Sequence, residues 1–138
     1  MILGFSTINP FTKKPTHFVK KILDNSKIHS MRAGERWRKG QTIQMATGVR
    51  TKNYAQFNTQ RPDLKTCTGT QKISFVFEKL SKTVSEFQVF VDGRKLTLGE
   101  MNALSRNDGF DTYTDFLIWV IHSKHKPKQI VHWTDFRY

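Results

Sequence analysis

The stretch EFQVFVDGRKL, residues 86–96, constrains the fold of this chain more than any other. Phe87, Val89 and Val91 alternate with Gln88 and Phe90, the two-residue period of a strand whose faces meet different surroundings. Asp92-Gly93 follows at once, and this pair tolerates the positive φ that a two-residue hairpin turn demands. A chain holding such a unit must build a sheet. The preceding LKTCTGTQKISFVFEKL, residues 64–80, is rich in Thr, β-branched and aromatic residues and reads as a second long strand, bulged or bent at Gly69.

Shorter elements surround this pair. ILGFST predicts a strand over 2–7, closed by the turn signal Asn9-Pro10. KIHSMR, residues 27–32, and QTIQMATG, residues 41–48, predict two more, the second with Ile43 and Met45 facing away from Thr42, Gln44 and Ala46. QIVHWTDFRY supplies a closing strand from residue 129. Thr16 stands where it can cap a helix carrying Phe18, Val19, Ile22 and Leu23. Thr97 and Glu100 form a capping-box pattern ahead of Met101 and Leu104, with Asn107-Asp108-Gly109 as the stop. A further helix starts near Thr112 or Thr114, and Phe116, Trp119 and Val120 make its core stripe. Many short strands flanked by short helices predict an α+β fold, a small mixed β-barrel, in a single domain spanning 1–138.

Charge narrows the partner. The formal net charge is +12, and residues 1–72 hold fourteen Lys and Arg against three acids, whereas residues 73–138 hold nine against eight. Charges needed only for solubility would be scattered; a field concentrated in one half attracts polyanions, with nucleic acid first among them. Because phosphates look alike to Lys and Arg, charge does not separate RNA from DNA. No run approaches the roughly 20 apolar residues that span a bilayer, so no membrane partner is expected. The one cysteine, Cys67, has no internal partner, which predicts a reducing, cytoplasmic setting and a buried thiol.

Cofactor and metal signals are missing. Of the five histidines, His17, His29, His122, His125 and His132, only His122 and His125 lie close in sequence, set among lysines with no thiolate or carboxylate alongside. Phosphate-loop, nucleophile-elbow and dinucleotide motifs are absent, so no cofactor is expected. The densest basic segment contains Lys27, Arg32, Arg36, Arg38, Lys39, Arg50 and Lys52 with Trp37 and Tyr54. Guanidinium groups there suit bidentate phosphate contacts, and Tyr54 offers a face for stacking on a base, while Trp37 is the residue expected to turn into the core. Arg36 and Arg50 sit near opposite ends of the strand predicted over 41–48, so they should not share one small cluster unless the sheet curves back.

The segment KPTHFVKKILDNSKIHSMRAGERWRKGQTIQMATG resembles the opening of ASCH domains, a branch of the PUA-like barrels. A helix there leads into a K-x-H-[ST]-x-R strand, matched by Lys27, His29, Ser30 and Arg32, followed by a G-x-R-[WF]-x-x-G pattern matched by Gly34, Arg36, Trp37 and Gly40. NDGFDTYTDFLIWV and the closing strand are also similar to this group, so the likeness covers most of the chain. It implies a PUA-like barrel that binds RNA or a modified nucleotide. Some ASCH proteins are amidohydrolases that deacetylate acetylated cytidine with a Lys, a Thr three residues later and a separate Glu; others resemble ribonucleases. The matching positions are Lys27 and Ser30, with Asp108 as the acid, one methylene shorter. For hydrolysis Ser30 would be the nucleophile, Lys27 the base and Asp108 the group that orients or shuttles the proton.

Overall fold

Asp92 and Gly93 both adopt positive φ, 50° and 81°, and Val91 pairs directly with Arg94 across the turn. This is the primed-turn geometry whose twist matches that of the strands it joins. In the computed structural model, which describes residues 1–79 and 85–138, the elements in chain order are β1 (Ile2–Phe5), α1 (Phe18–Leu23), β2 (His29–Arg32), β3 (Gln44–Thr47), β4 (Ala55–Gln56), a 3-10 turn (Pro62–Leu64), β5 (Gly69–Lys79), β6 (Ser85–Val91), β7 (Arg94–Lys95), α2 (Leu98–Asn107), α3 (Tyr113–His122) and β8 (Gln129–His132). Leu80, the end of the long strand predicted from the sequence, lies outside the described residues.

The protein is a mixed α+β domain with two sheets. One has the order β1-β3-β4, with β1 and β3 parallel; the other has the order β2-β8-β5-β6-β7 and is antiparallel throughout. Among the described residues the ladders do not close into a barrel. Residues 40–43 tie the sheets together on one side, through Gly40 N–H to Cys67 O (2.7 Å), Cys67 N–H to Gln41 O (2.8 Å) and Ile43 N–H to Lys65 O (2.8 Å). On the other side β1 and β2 share no ladder; a side chain spans the seam, with Arg32 Nη2 donating to Gly4 O at 2.7 Å. β5 serves both halves of its own sheet, pairing with β8 over Gly69–Lys72 and with β6 from Ile73 onward.

The core is continuous in composition but organised around two centres. Leu3, Phe5, Phe18, Ile22, Trp37, Ile43 and Met45 form one beneath α1; Ile73, Val89, Val91, Leu104, Phe116 and Ile130 form the other beneath α2 and α3. Trp119 packs against both. Trp37 is 1% exposed, as expected, and its backbone is gripped from β8, since Gln129 Oε1 accepts from Trp37 N–H (3.1 Å) while Gln129 Nε2 donates to Trp37 O (2.9 Å). Ile43 and Met45 are buried on one face of β3, and Ala46 is buried as well, covered from the opposite side of the strand.

Two helix starts follow the expected chemistry. Thr97 accepts from Glu100 N–H while the Glu100 carboxylate accepts from Thr97 N–H, completing the capping box; Thr112 caps α3 by accepting from Asp115 N–H. The third does not. The N-cap of α1 is His17, at φ 55°, and Thr16 stands one residue ahead of it, its Oγ1 accepting from Phe18 N–H at 3.4 Å while its backbone N–H donates to Thr7 O and its hydroxyl to Ser6 O at 2.6 Å. Among the described residues no helix is long and apolar enough to cross a membrane.

Gly109 ends α2. Its N–H donates to Arg106 O (2.9 Å) and the Phe110 N–H to Ser105 O (3.0 Å), the paired bonds of a glycine-terminated helix, with φ at 98°. A Cβ there would lie 2.8 Å from Lys27 Cδ and 3.0 Å from the Phe18 ring. Gly109→Ala is therefore expected to lower stability by about 2–4 kcal/mol, from backbone strain and overpacking together. Gly34→Ala, which meets nothing within 4 Å, should leave the urea midpoint almost unchanged. Urea unfolding of the two variants side by side makes the comparison.

Candidate functional site

The backbone between α1 and β2 is stitched to the end of α2. Lys27 N–H donates to Lys21 O, and Ile28 N–H donates to Asn107 O, both at 2.9 Å. That attachment carries the Lys27 side chain inward to Asp108. Lys27 is 1% exposed; its Nζ donates to His29 O at 2.9 Å and to Asp108 O, lies 3.7 Å from Asp108 Oδ1, and sits 4.7 Å from the Phe18 ring centre. Burial pushes the Lys27 ammonium down from 10.5 to about 8, with the Asp108 charge opposing the shift. Burial alone would raise the Asp108 carboxyl, but Lys27, His29 and Arg32 together hold it below its ordinary value.

Asp108 also anchors a chain of hydrogen bonds that the sequence did not point to. Its Oδ1 accepts from Met31 N–H and lies 3.1 Å from His29 Nδ1; on the far side of the ring, His29 Nε2 lies 2.6 Å from the Tyr138 hydroxyl, to which Asn107 Nδ2 also donates. An ionised carboxylate accepts only, so His29 carries its proton on Nδ1 and accepts the Tyr138 O–H at Nε2. Burial lowers the His29 pKa and raises that of Tyr138, which keeps both neutral. Beside this pair, His132 is pushed down to about 3, chiefly by burial.

Lys27, Ser30, Arg32 and Asp108 line one small cavity of about 100 Å³, walled by Phe5, Phe18, Phe110, Trp119 and Pro127. Ser30 and Arg32 reach it from the same face of β2, two residues apart. Among the described residues Ser30 Oγ and Asp108 Oδ2 have no hydrogen-bond partner, although each residue is only 5% exposed. Arg32 Nε is wholly enclosed and also unpartnered. The guanidinium stacks 5.1 Å from the Phe5 ring centre, and burial lowers its pKa to about 10.

Arg32 and Gly4 belong equally to a larger, outer cavity of about 950 Å³. Arg36, Arg50 and Tyr54 line it together with Met1, Val49 and Trp37. Arg36 and Arg50, expected apart unless the sheet curves back, thus border one open cavity. β1 runs beside β3, parallel to it, and the turn after β3 doubles back through Gly48 (φ 62°) and Arg50 (φ 64°), so the 49–54 segment faces the 32–37 segment across β1. Gly4 permits that approach: a Cβ there would fall 2.9 Å from Val49 Cγ2.

The other basic residues singled out from the sequence fall elsewhere. Arg38 folds onto its own loop, donating to Glu35 O (2.6 Å) and Trp37 O (3.0 Å). Lys39 and Lys52 are exposed and line neither cavity. Tyr54 is 43% exposed with its ring available at the rim. His29 was visible in sequence only as a member of the K-x-H-S-x-R run, and nothing in its spacing marked Tyr138, more than a hundred residues away, as its partner.

The fold and the cleft define an α+β domain whose two sheets meet at a seam lined by buried ionisable groups. Compared with protein-family models, with curated proteins and with solved structures, the chain matches none of them.

The depressed Lys27 pKa ties stability to pH. Between about 8 and 10.5 the unfolded chain binds the extra proton, so the contribution is fully present above 10.5 and is lost as pH falls through 8. Relative to Lys27→Met, which keeps the stem and removes the charge, the folded protein should gain stability as pH rises across this interval, by roughly 3 kcal/mol in all. Urea unfolding of both proteins at a series of pH values measures it; a constant difference would place the Lys27 titration in the ordinary range.

Proposed function

We propose that this protein is an ASCH-type module with a PUA-like arrangement of strands, which binds RNA or a modified nucleotide in the cleft between β1 and β2. The observation that carries this reading is that Arg32, Arg36, Arg50 and Tyr54, from separate stretches of the chain, line one outer cavity that adjoins a polar inner pocket. Guanidinium groups bind phosphate oxygens bidentately, and an exposed tyrosine ring stacks on a base without regard to sequence. The concentration of positive charge in residues 1–72 supplies the long-range attraction that brings a polyanion to this face. A cytoplasmic site of action suits the free, buried Cys67.

Binding of a fluorescent single-stranded RNA should weaken steeply as salt rises, because phosphate neutralisation releases counterions. Arg36→Ala and Arg50→Ala should each reduce affinity several-fold and lower the salt slope by about one. Fluorescence anisotropy across a salt series checks both, with DNA of the same sequence as competitor. Salt-independent affinity, or none for any RNA, would sink the proposal.

A second reading, hydrolysis of an amide on an acylated nucleoside such as acetylated cytidine, is favoured by the meeting of Lys27, Ser30 and Asp108 in the inner pocket. Ser30 Oγ would attack the acyl carbon while Lys27, in its neutral form, takes the hydroxyl proton. The C–N bond then breaks, the amine leaves with a proton, and water releases the acyl group from Ser30 as a carboxylate. No hydrogen bond joins Ser30 to Lys27 among the described residues, so the substrate must bring them into line. Turnover should rise through a pH near 8, where half of Lys27 is neutral, and vanish in Ser30→Ala. A panel of acylated nucleosides left intact by the purified protein would exclude it.

A further inference from the structure

The arginine-lined cavity is the first of three hollows met in succession along the start of the chain. It takes Met1 to Gly4. Gly4 and Val49 also border a second hollow, of about 430 Å³, which continues from Phe5 to Ile8. Ser6 and Thr7 border a third as well, of about 690 Å³, whose other wall is α1 with its N-cap His17. Each hollow shares two residues with the next, in the order of the chain, so the three follow β1 and its exit as one trough.

Cations and apolar groups are interspersed along it. Arg36 and Arg50 stand at one end and the exposed Lys20 at the other. The one acid on the walls, Asp24, has its Oδ1 engaged by Ser26 N–H (2.9 Å) and Ser26 Oγ (2.6 Å). Each hollow also carries an exposed aliphatic side chain, Ile2 in the first, Ile8 in the second and Leu23 in the third, at 41%, 48% and 37% exposure. Single exposed apolar residues are ordinary, but a succession of them between cations in one trough marks a surface made for contact. A planar ring stands near each end, Tyr54 beside Arg50 and the exposed His17 beside Lys20.

We propose that the trough is the path of a single-stranded RNA, which continues from the arginine-lined cavity along β1 to α1 and occupies on the order of four nucleotides. This rests on the nucleic-acid reading above and extends it from one cavity to a path with a stated class of ligand. An unpaired strand presents phosphates and bare base faces by turns, and the trough answers with cations and apolar or planar side chains. A duplex keeps its base faces inside the stack and offers nothing to Ile2, Ile8 and Leu23. A free mononucleotide fills one hollow and leaves α1 untouched.

Fluorescence anisotropy with labelled oligouridylates of two to eight nucleotides maps the path. The variant that tests it combines His17→Asn with Lys20→Ala; both side chains are exposed, and asparagine tolerates the positive φ of residue 17. The octamer should bind this variant several-fold more weakly than the unaltered protein, whereas the dinucleotide, held at the arginines, should bind both alike. Arg50→Ala should weaken binding at every length. In ¹⁵N spectra the amides of residues 17–24 should shift with the octamer and stay in place with the dinucleotide, and the remaining amides report whether the variant is folded. Equal loss for dinucleotide and octamer would reduce Lys20 to diffuse charge, and unchanged affinity at all lengths would end the site at the arginines. Either result overturns the path and leaves the RNA reading standing; binding of no oligonucleotide at any length overturns both.

Discussion

The burial of one ammonium group governs how the middle of this molecule is put together. Lys27 is enclosed to 1% exposure, and an amine can be removed from water only where oxygens replace the solvent around it. Those oxygens come from two places far apart in sequence, the start of β2 and Asp108, the residue that caps the end of α2. The glycine after Asp108 lets the chain turn without touching the lysine stem. The seam, the orientation of Asp108 and the position of α2 against the β-sheet all follow from finding those acceptors.

From this centre the cleft opens outward. Arg32, one strand residue beyond the Asp108-bound amide of Met31, reaches across to Gly4 and substitutes for the backbone pairing that β1 and β2 lack. A seam bridged by a side chain rather than by a ladder leaves a cleft, and it places a guanidinium at the boundary between an enclosed polar pocket and an open basic one. The His29–Tyr138 pair holds one oxygen of Asp108, Oδ1, and the residue borders the inner cavity.

Much of the local structure was legible in the residues themselves. The Asp92-Gly93 turn, the capping box of α2 and the helical stripe of α3 each depend on neighbours within a few positions, and the burial of Trp37 follows from the size and apolarity of its side chain. The cap of α1 was not legible: it falls one residue later, on His17 at positive φ, with Thr16 tied to Ser6 just past β1. The grouping of Arg36 with Arg50 depended on a parallel β1–β3 pair and on residues at positive φ after β3, neither of which alternation alone encodes. Nor could charge counting tell Arg38, turned onto its own carbonyls, from Arg36, which borders the cavity.

Gln129 holds the Trp37 peptide by both its N–H and its carbonyl, from a strand that is itself the neighbour of β2. A loop pinned at its midpoint has surrendered its conformational entropy during folding, before any guest arrives. Any group that met Arg36 would find a backbone already fixed in place, with only side chains left to order.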